Sequence, residues 1–424
     1  MDKNSNDGSD KIINEGFVMD CKKGKPGNFE AATHCGNCLK FTGIELLQDA
    51  QRQVENFISP IFKIYCGQKT WLEGPAVEQF KRVMTLPGII QGAAFPDLHP
   101  GRGVPVGAAF LSDKIIYPAL IGNDIGCGMT LFSTGIKEHK FKKDKLFRRL
   151  GSEVETSLQS AALELLDSMQ ERVTDPENML GTLGHGNHFA EFLAVEKIID
   201  EEKCGALNLK RNDVLLLIHA GSRCYGEMLW REIAAKHGDK GLKFDSPDGA
   251  DYLARHAELI GWASFNRRLI GKALGRMAAC ELREILNAAH NSITPYGENC
   301  FIHRKGASNV ESDAPVIVAG SRGTYSYLVA PTGDGVENVY SIAHGAGRKW
   351  NRQSTRDRIR ARYDDMTQLL KTKVGSTVIC PNKDLLYEEA PEAYKDVSIV
   401  IEDLKNFKLA TALAELRPII NIKP

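Results

Sequence analysis

The chain predicts an α+β fold: one large domain of central β-sheets and long helices, with a short segment appended at its start. Three observations carry this. Two long stretches repeat their apolar residues at steps of three and four, as amphipathic helices do. Between and after them lie short apolar runs of strand length that end in glycine and a polar residue. The two kinds of element do not alternate regularly, which separates the chain from doubly wound sheets built of βαβ units.

Residues 1–60 read as an N-terminal extension. Gly and Asn are common up to Gly43; then Ile44, Leu47, Ala50, Val54 and Phe57 fall at helical spacing and predict one amphipathic helix. Cys35-Gly-Asn-Cys38, with His34 and Cys21 nearby, has the beginning of a zinc pattern. A second matching pair is missing, so free cysteines are expected. Residues 61–424 form the expected domain. Ile115–Ile121, Val214–Ile218, Val316–Val318 and Val339–Ile342 read as strands. Helices are expected over about Lys145 to Glu171 and about Ala250 to Ala289, the second carrying Leu253, Trp262, Phe265, Leu269, Leu274, Met277, Leu282, Ile285 and Leu286.

Bulk properties exclude several classes. No apolar run approaches the roughly 18 residues of a membrane span, and the polar start has no stretch of signal-peptide character, so a cytoplasmic protein with no membrane partner is expected. Ten cysteines scattered over 424 residues suggest reduced thiols or ligands, not a disulfide framework. Lys plus Arg and Asp plus Glu both number 54, so a polyanionic partner would need a local basic patch. Lys137–Arg149 reads as a solvated helix face. The run Arg348, Lys349, Arg352, Arg356, Arg358, Arg360, Arg362 has more functional weight, because it follows the chain's strongest chemical motif.

That chemistry centres on histidines at element ends. His219 closes the apolar run Leu215–Ile218, His344 follows Tyr340-Ser-Ile-Ala, His188 lies in Gly184-His-Gly-Asn-His-Phe, and His290 is expected to end the long second helix. Polar groups in such places beside glycines are where enzymes put working side chains. Asp124 and Cys127 stand three apart in a glycine-rich bend after an apolar run, and can bring a carboxylate and a thiolate to one ion. With His188, His219 and His290 they supply oxygen, sulfur and nitrogen donors, enough for one ion, or two if Cys127 bridges. That mixture suits Mn, Zn, Fe or Co rather than Mg or Ca alone.

Motif order then points to a family. Phe95-Pro-Asp-Leu-His-Pro-Gly, Gly122-Asn-Asp-Ile-Gly-Cys-Gly-Met, Gly181-Thr-Leu-Gly-His-Gly-Asn-His-Phe, His219-Ala-Gly-Ser-Arg, His303-Arg-Lys-Gly-Ala, Gly320-Ser-Arg-Gly-Thr, His344-Gly-Ala-Gly-Arg, Glu389-Ala-Pro-Glu-Ala-Tyr-Lys-Asp and Leu416-Arg-Pro-Ile-Ile-Asn-Ile-Lys423 occur in sequence. From about Phe62 to Pro424 the chain resembles the RtcB family of RNA-splicing and RNA-repair ligases. Its spelling at Pro96–Gly101 and Ile121–Met129 resembles the bacterial branch that accompanies peptide chain release factor H.

The resemblance implies a GTP- and Mn²⁺-dependent RNA ligase, with two ions on Asp124, Cys127, His188, His219 and His290. His344 would be the nucleophile that takes GMP. Asn187, Phe189, Ala190, Glu191, His290, Asn291, Ala319, Gly320, Ser321, Arg322, Ser326, Gly345, Ala346, Gly347 and Lys423 match guanine-nucleotide positions. Arg304, Lys305 and Arg348 would be RNA or phosphate contacts. Asp97 is expected behind the directly acting groups, and His185 close enough to the metals to tune them. The implied substrates are RNA ends with a 2′,3′-cyclic phosphate or 3′-phosphate and with a 5′-hydroxyl, in RNA repair or tRNA splicing. An activating protein such as archease is an implied partner. Two other readings stay open: a dinuclear metal phosphoesterase acting on RNA ends, and a non-catalytic RNA- or ribosome-binding homologue.

Overall fold

The computed structural model describes residues 60–169, 173–175 and 178–424. The helix expected at Ile44–Phe57 and the cluster of Cys21, His34, Cys35 and Cys38 lie outside the described residues.

The described chain runs β1 (Ile61–Ile64), α1 (Gly74–Met84), β2 (Ile89–His99), β3 (Val106–Asp113), β4 (Ile115–Ile116), α2 (Pro118–Ile121), β5 (Gly128–Lys137), α3 (Lys143–Leu150), α4 (Val154–Met169) and β6 (Phe189–Ile198). It continues through α5 (Glu201–Ala206), β7 (Asp213–Ala220), α6 (Arg223–His237), β8 (Leu242–Lys243), α7 (Pro247–Ala278), β9 (Arg283–Ala289), β10 (Asn291–Tyr296), β11 (Cys300–Lys305) and β12 (Ala307–Asn309). It ends with β13 (Val316–Val318), β14 (Ser326–Pro331), β15 (Ser341–Ala343), α8 (Arg352–Arg362), β16 (Thr377–Ile379), α9 (Lys383–Glu388), α10 (Val397–Asn406) and β17 (Ala410–Ile422). The α+β class follows as expected.

A five-stranded sheet runs β1-β2-β3-β11-β10; a larger one runs β13-β14-β17-β6-β7-β5-β9, with β16 added beside β17. The larger sheet is buried on both faces. Leu216 and Ile218 of β7 join Phe132, Phe192, Leu269, Ile270 and Leu274 in the core under α7. Leu215 and Leu217 point the other way, to Leu131, Leu193, Leu328 and Leu416. This is the alternation of a pleated strand covered on both sides. Each fully buried side chain of this size stabilises the fold by about 1.5–3 kcal/mol.

The structure corrects several expected boundaries. The long helix does not reach Ala289. Ser246 caps its start by accepting from Gly249 N–H at 3.1 Å, and it ends where Ala279 turns left-handed at φ 56°. Leu282, Ile285 and Leu286 follow in β9 or just before it, because residues 283–289 pair with β5 from Ser133↔Arg283 to Gly128↔Ala289. His290 therefore follows a strand, not a helix. The stretch Lys145–Glu171 is two helices, α3 and α4, broken at Gly151 (φ 63°), a conformation that glycine adopts at little cost. Strand pairing stops at Ile116, and Pro118, which has no N–H to donate, opens α2. Val339 and Tyr340 have φ of 52° and 47°, so β15 begins only at Ser341. Among the described residues no helix is long and apolar enough to cross a membrane.

Candidate metal and catalytic centre

Strand register assembles the site. β6, β7, β5 and β9 are neighbours in the larger sheet, each antiparallel to the next. Met129 and Phe189 both pair with His219, and Gly128 pairs with Ala220 and Ala289. Cys127 and His188 immediately precede their strands, His219 is next to last on its own, and His290 follows one. All four thus meet at one edge. The backbone N–H groups of His290 and Asn291 donate to the Cys127 carbonyl at 2.8 and 3.2 Å, and Gly126 N–H donates to Asn291 O at 2.9 Å. The Asp124–Cys127 bend is thereby laced to the end of β9.

The side chains form a chain of short contacts. Asp124 Oδ2 lies 2.9 Å from His188 Nε2, which lies 3.3 Å from Cys127 Sγ. Cys127 Sγ is 3.3 Å from His219 Nε2, which is 3.2 Å from His290 Nε2. Cys127, His188 and His219 are buried and offer ligand atoms that all lie within 4.8 Å of one another. Burial holds the His219 and His290 pKa values far below the ordinary imidazole range, so their nitrogens carry lone pairs at neutral pH. Burial, then the Asp124 carboxylate, pushes the Cys127 thiol well up; a bound cation would reverse that balance. Burial also works against the Asp124 charge, but His188 and Lys305 outweigh it and hold the carboxyl low. Two imidazole nitrogens turned on one sulfur, with a third behind His219 and a carboxylate beside His188, fit a borderline or transition metal. The central position of Cys127 fits a ligand shared by two ions.

His344 approaches from the loop after β15. Its Nδ1 lies 2.7 Å from Asp97 Oδ2, which also accepts from the His344 backbone N–H at 3.2 Å. Asp97 is completely buried on β2. With Nδ1–H given to Asp97, Nε2 is left as the lone-pair nitrogen. The His344 ring centre is 4.5 Å from that of His290, so the candidate ligand cluster and this imidazole share one centre. Behind Asp97, the buried Lys395 ammonium donates to the carbonyls of Pro96 and Leu98 at 2.9 and 2.6 Å. His99 Nδ1 lies 2.8 Å from the Asp97 carbonyl.

The expected nucleotide positions fall into two groups. Ala319 bridges Gly345, and its backbone bonds to His344 and Ala346 bring the Ala319–Arg322 turn against Gly345–Gly347. Lys423 is not a frayed tail. It is 4% exposed at the end of the central strand β17, and its ammonium donates to the carbonyls of Gly186 and His188 at 3.1 and 3.2 Å, which ties it to the Asn187 loop. Glu191 is buried and accepts from Asn421 at 2.8 Å; burial raises its pKa to about 8, against Asn421 and Lys423. Ser326 Oγ accepts from Gly320 N–H at 3.0 Å.

Others are turned inward. The Ala190 side chain packs into the core under α7, while Phe189 packs on the sheet's other face. Asn291 spends its amide on Gly306 N–H and the Asp124 carbonyl, a bracing role. Arg322 is 4% exposed and donates to Leu386 O at 2.8 Å.

Of the expected phosphate contacts, Lys305 is near the ligands: its ammonium donates to the Ile121 carbonyl, and its field lowers the Asp124 pKa. Arg304 corrects the expectation. It is 0% exposed and fully engaged by Ser341, Thr294, Glu311 and the Tyr340 carbonyl, so it fastens β11 to the β15 loop and has no face for RNA. Arg348 also turns inward, to Glu389 at 3.0 Å and the Glu388 carbonyl at 2.9 Å. The basic run on α8 is largely neutralised: Arg356 and Arg360 pair with Glu388 and Asp384 of α9, and Arg362 with Glu392. Arg358 lies over the Trp350 ring at 4.7 Å. His185 is exposed, outside the Cys127–His188–His219 group.

Sequence reasoning missed Arg267 and the charge role of Glu389. Arg267 shares a helical stripe with Ala263, Ile270 and Leu274, and a charge inside an apolar stripe was the available signal. Glu389 is buried; burial opposes its charge, but Lys423, Arg348 and Arg352 outweigh that and hold its pKa down to about 2.

Known proteins are similar to this chain over most of its length. The profile described as tRNA-splicing ligase RtcB matches residues 79–178 and 164–424. The RNA-splicing ligase RtcB2 of Escherichia coli is 39% identical over 357 residues, covering 83% of this chain and 93% of that protein. The tRNA-splicing ligase RtcB of Archaeoglobus fulgidus is 28% identical over 445 residues, covering 82% of this chain and 91% of that protein. The RNA-splicing ligase RtcB homolog 1 of Entamoeba dispar is 28% identical over 438 residues, covering 82% and 81%. A profile match running through every strand of the larger sheet, together with that close relative, means that the chain belongs to the RtcB family.

Proposed function

We propose that this protein is an RNA ligase that uses GTP and two divalent ions, Mn²⁺ foremost, to join a 3′-phosphate RNA end to a 5′-hydroxyl end through a guanylate carried on His344. The observation that supports it most is the Asp97–His344 pair beside the Cys127 cluster: an imidazole held in one tautomer, its free nitrogen next to a metal-ligand set. A free, oriented imidazole nitrogen suits a nucleophile that carries a phosphoryl group.

In this reading His344 Nε2 attacks the α-phosphorus of GTP and pyrophosphate leaves. Asp97 keeps the proton on Nδ1 and stabilises the charge that the ring gains. The guanylate passes to an RNA 3′-phosphate, formed from a 2′,3′-cyclic end by addition of water where needed. The 5′-hydroxyl oxygen of the second RNA then attacks that phosphorus and GMP leaves. Asp124, Cys127, His188, His219 and His290 would hold the ions, which when bound neutralise phosphoryl oxygens as Lewis acids. Lys423 and Glu191 would bind the guanine nucleotide, and Lys305 would face phosphate.

The test is incubation with α-³²P-GTP and Mn²⁺, comparing the parent with His344→Ala. An acid-labile, alkali-stable labelled band in the parent alone is expected. No label in either, with metal shown to be bound, would overturn the guanylate step and favour the phosphoesterase or binding readings.

A further inference from the structure

The metal-ligand edge is fastened from below by one helix. Arg267, near the middle of α7, is 1% exposed. Its Nη1 donates to the carbonyls of Gly126 and Ala220 at 2.8 and 2.9 Å, its Nε to Thr130 Oγ1 at 3.1 Å, and its Nη2 to Asn287 Oδ1 at 2.7 Å. Four of the five guanidinium N–H donors are thus spent on three adjacent segments. Gly126 precedes Cys127, Ala220 follows His219, and Asn287 lies on the strand that delivers His290. The preceding residue, Asn266, holds a fourth segment: its Oδ1 accepts from Gly181 N–H at 2.8 Å and its Nδ2 donates to the Thr182 carbonyl at 3.1 Å, in the stretch that leads to His188.

The charge is as informative as the geometry. Among the described residues no carboxylate lies within ion-pair distance of Arg267, whereas its neighbour Arg268 is half-exposed and paired with Glu284 at 2.6 Å. A buried guanidinium without an anion is costly. Its hydrogen bonds instead go to the carbonyls beside Cys127 and His219, so the charge is held next to the ligand set. An ordinary helix-to-sheet brace would have no reason to bond the carbonyls that flank Cys127 and His219.

We propose that Arg267, assisted by Asn266, is the positioning residue of the metal centre: it sets Cys127, His219 and His290 in mutual register. This rests on the metal reading above. Positioning partners of metal ligands typically change affinity by about 10–100-fold when removed.

Co²⁺ titration of the full chain tests it, read by dissociation constant and by the thiolate-to-Co²⁺ charge-transfer band, with metal-free melting curves as a check on folding. Arg267→Met is expected to weaken Co²⁺ binding by about 10–100-fold and to diminish the band. Arg267→Lys, which keeps the charge but not the fork, should restore part of both, and Arg268→Met should match the parent. A folded Arg267→Met that binds Co²⁺ within about threefold of the parent, with the same band, overturns the proposal. If neither Arg267 variant folds, Thr130→Val decides, since it removes only the Nε acceptor: a shifted band supports the proposal and a parental one overturns it. A parent that binds no Co²⁺ overturns the metal reading and this one with it, whereas equal binding by parent and variants overturns this one alone.

Discussion

At the scale of single residues the centre depends on protonation states fixed by neighbours. Asp97→Asn should keep the shape of the His344 pocket yet lose control of the tautomer. Label transfer from GTP is expected to fall by about a hundredfold or more, with Co²⁺ spectra unchanged. Single-turnover labelling within threefold of the parent would remove Asp97 from that role. Glu191 gives a pH signature. Its pKa rises from 4.5 in the unfolded chain to about 8 in the fold. The folded protein therefore binds the extra proton in that window. The contribution is fully present below 4.5 and is lost as pH rises through about 8. The loss is on the order of a few kcal/mol. Glu389 runs the other way: its contribution is present above 4.5 and is lost as pH falls through about 2, so it leaves the neutral window flat. On going from pH 5 to pH 8 the urea midpoint should fall further, or rise less, in the parent than in Glu191→Gln, since the buried histidines act alike in both; equal changes in the two would discard the assignment.

At the scale of elements, the site is a matter of strand register. A Cβ on Gly128 would meet the Ala288 carbonyl oxygen at 2.4 Å and Ala289 Cα at 2.8 Å, which are backbone atoms of β9 that cannot rotate away. Gly128→Ala should destabilise by about 2–4 kcal/mol and pull His290 from Cys127. Thermal melts and Co²⁺ binding together report this, and an unchanged melt would mean that the β5–β9 pairing is looser than its register implies. This same pairing explains the misread helix. Leu282, Ile285 and Leu286 keep three- and four-residue steps that suit a helix, but β9 closes the open edge of β5, and the hydrogen-bond ladder overrides local spacing. Ile115–Ile121 failed for a plainer reason, since Pro118 ends strand pairing wherever the apolar run continues.

At the scale of the molecule, a metal would join four strand ends that meet only when the sheet is complete. Metal binding should therefore appear as folding stability. At a Mn²⁺ concentration a hundred times its dissociation constant the gain is about 2.7 kcal/mol. The melting temperature should rise with Mn²⁺ in the parent, fall on chelation, and stay flat in a Cys127→Ser, His188→Ala variant. A parent whose melt ignores Mn²⁺ and Co²⁺ alike would sink the metal site.

The sequence by itself determined the class of the fold and picked out the histidines, the cysteine and the carboxylate that the fold brings together, because each is announced locally: an apolar run, a glycine bend, a polar side chain at its end. It also marked Asp97, through its motif. Only the tertiary structure decided that Arg304 and Arg348 are internal braces, that Lys423 is buried against the His188 loop, and that Arg267 underlies the ligands. Those roles depend on which segments become neighbours across the sheets, and a buried cation and a solvated one have the same letter in the sequence. What separates them is the set of carbonyls and carboxylates that long-range pairing brings within hydrogen-bond reach.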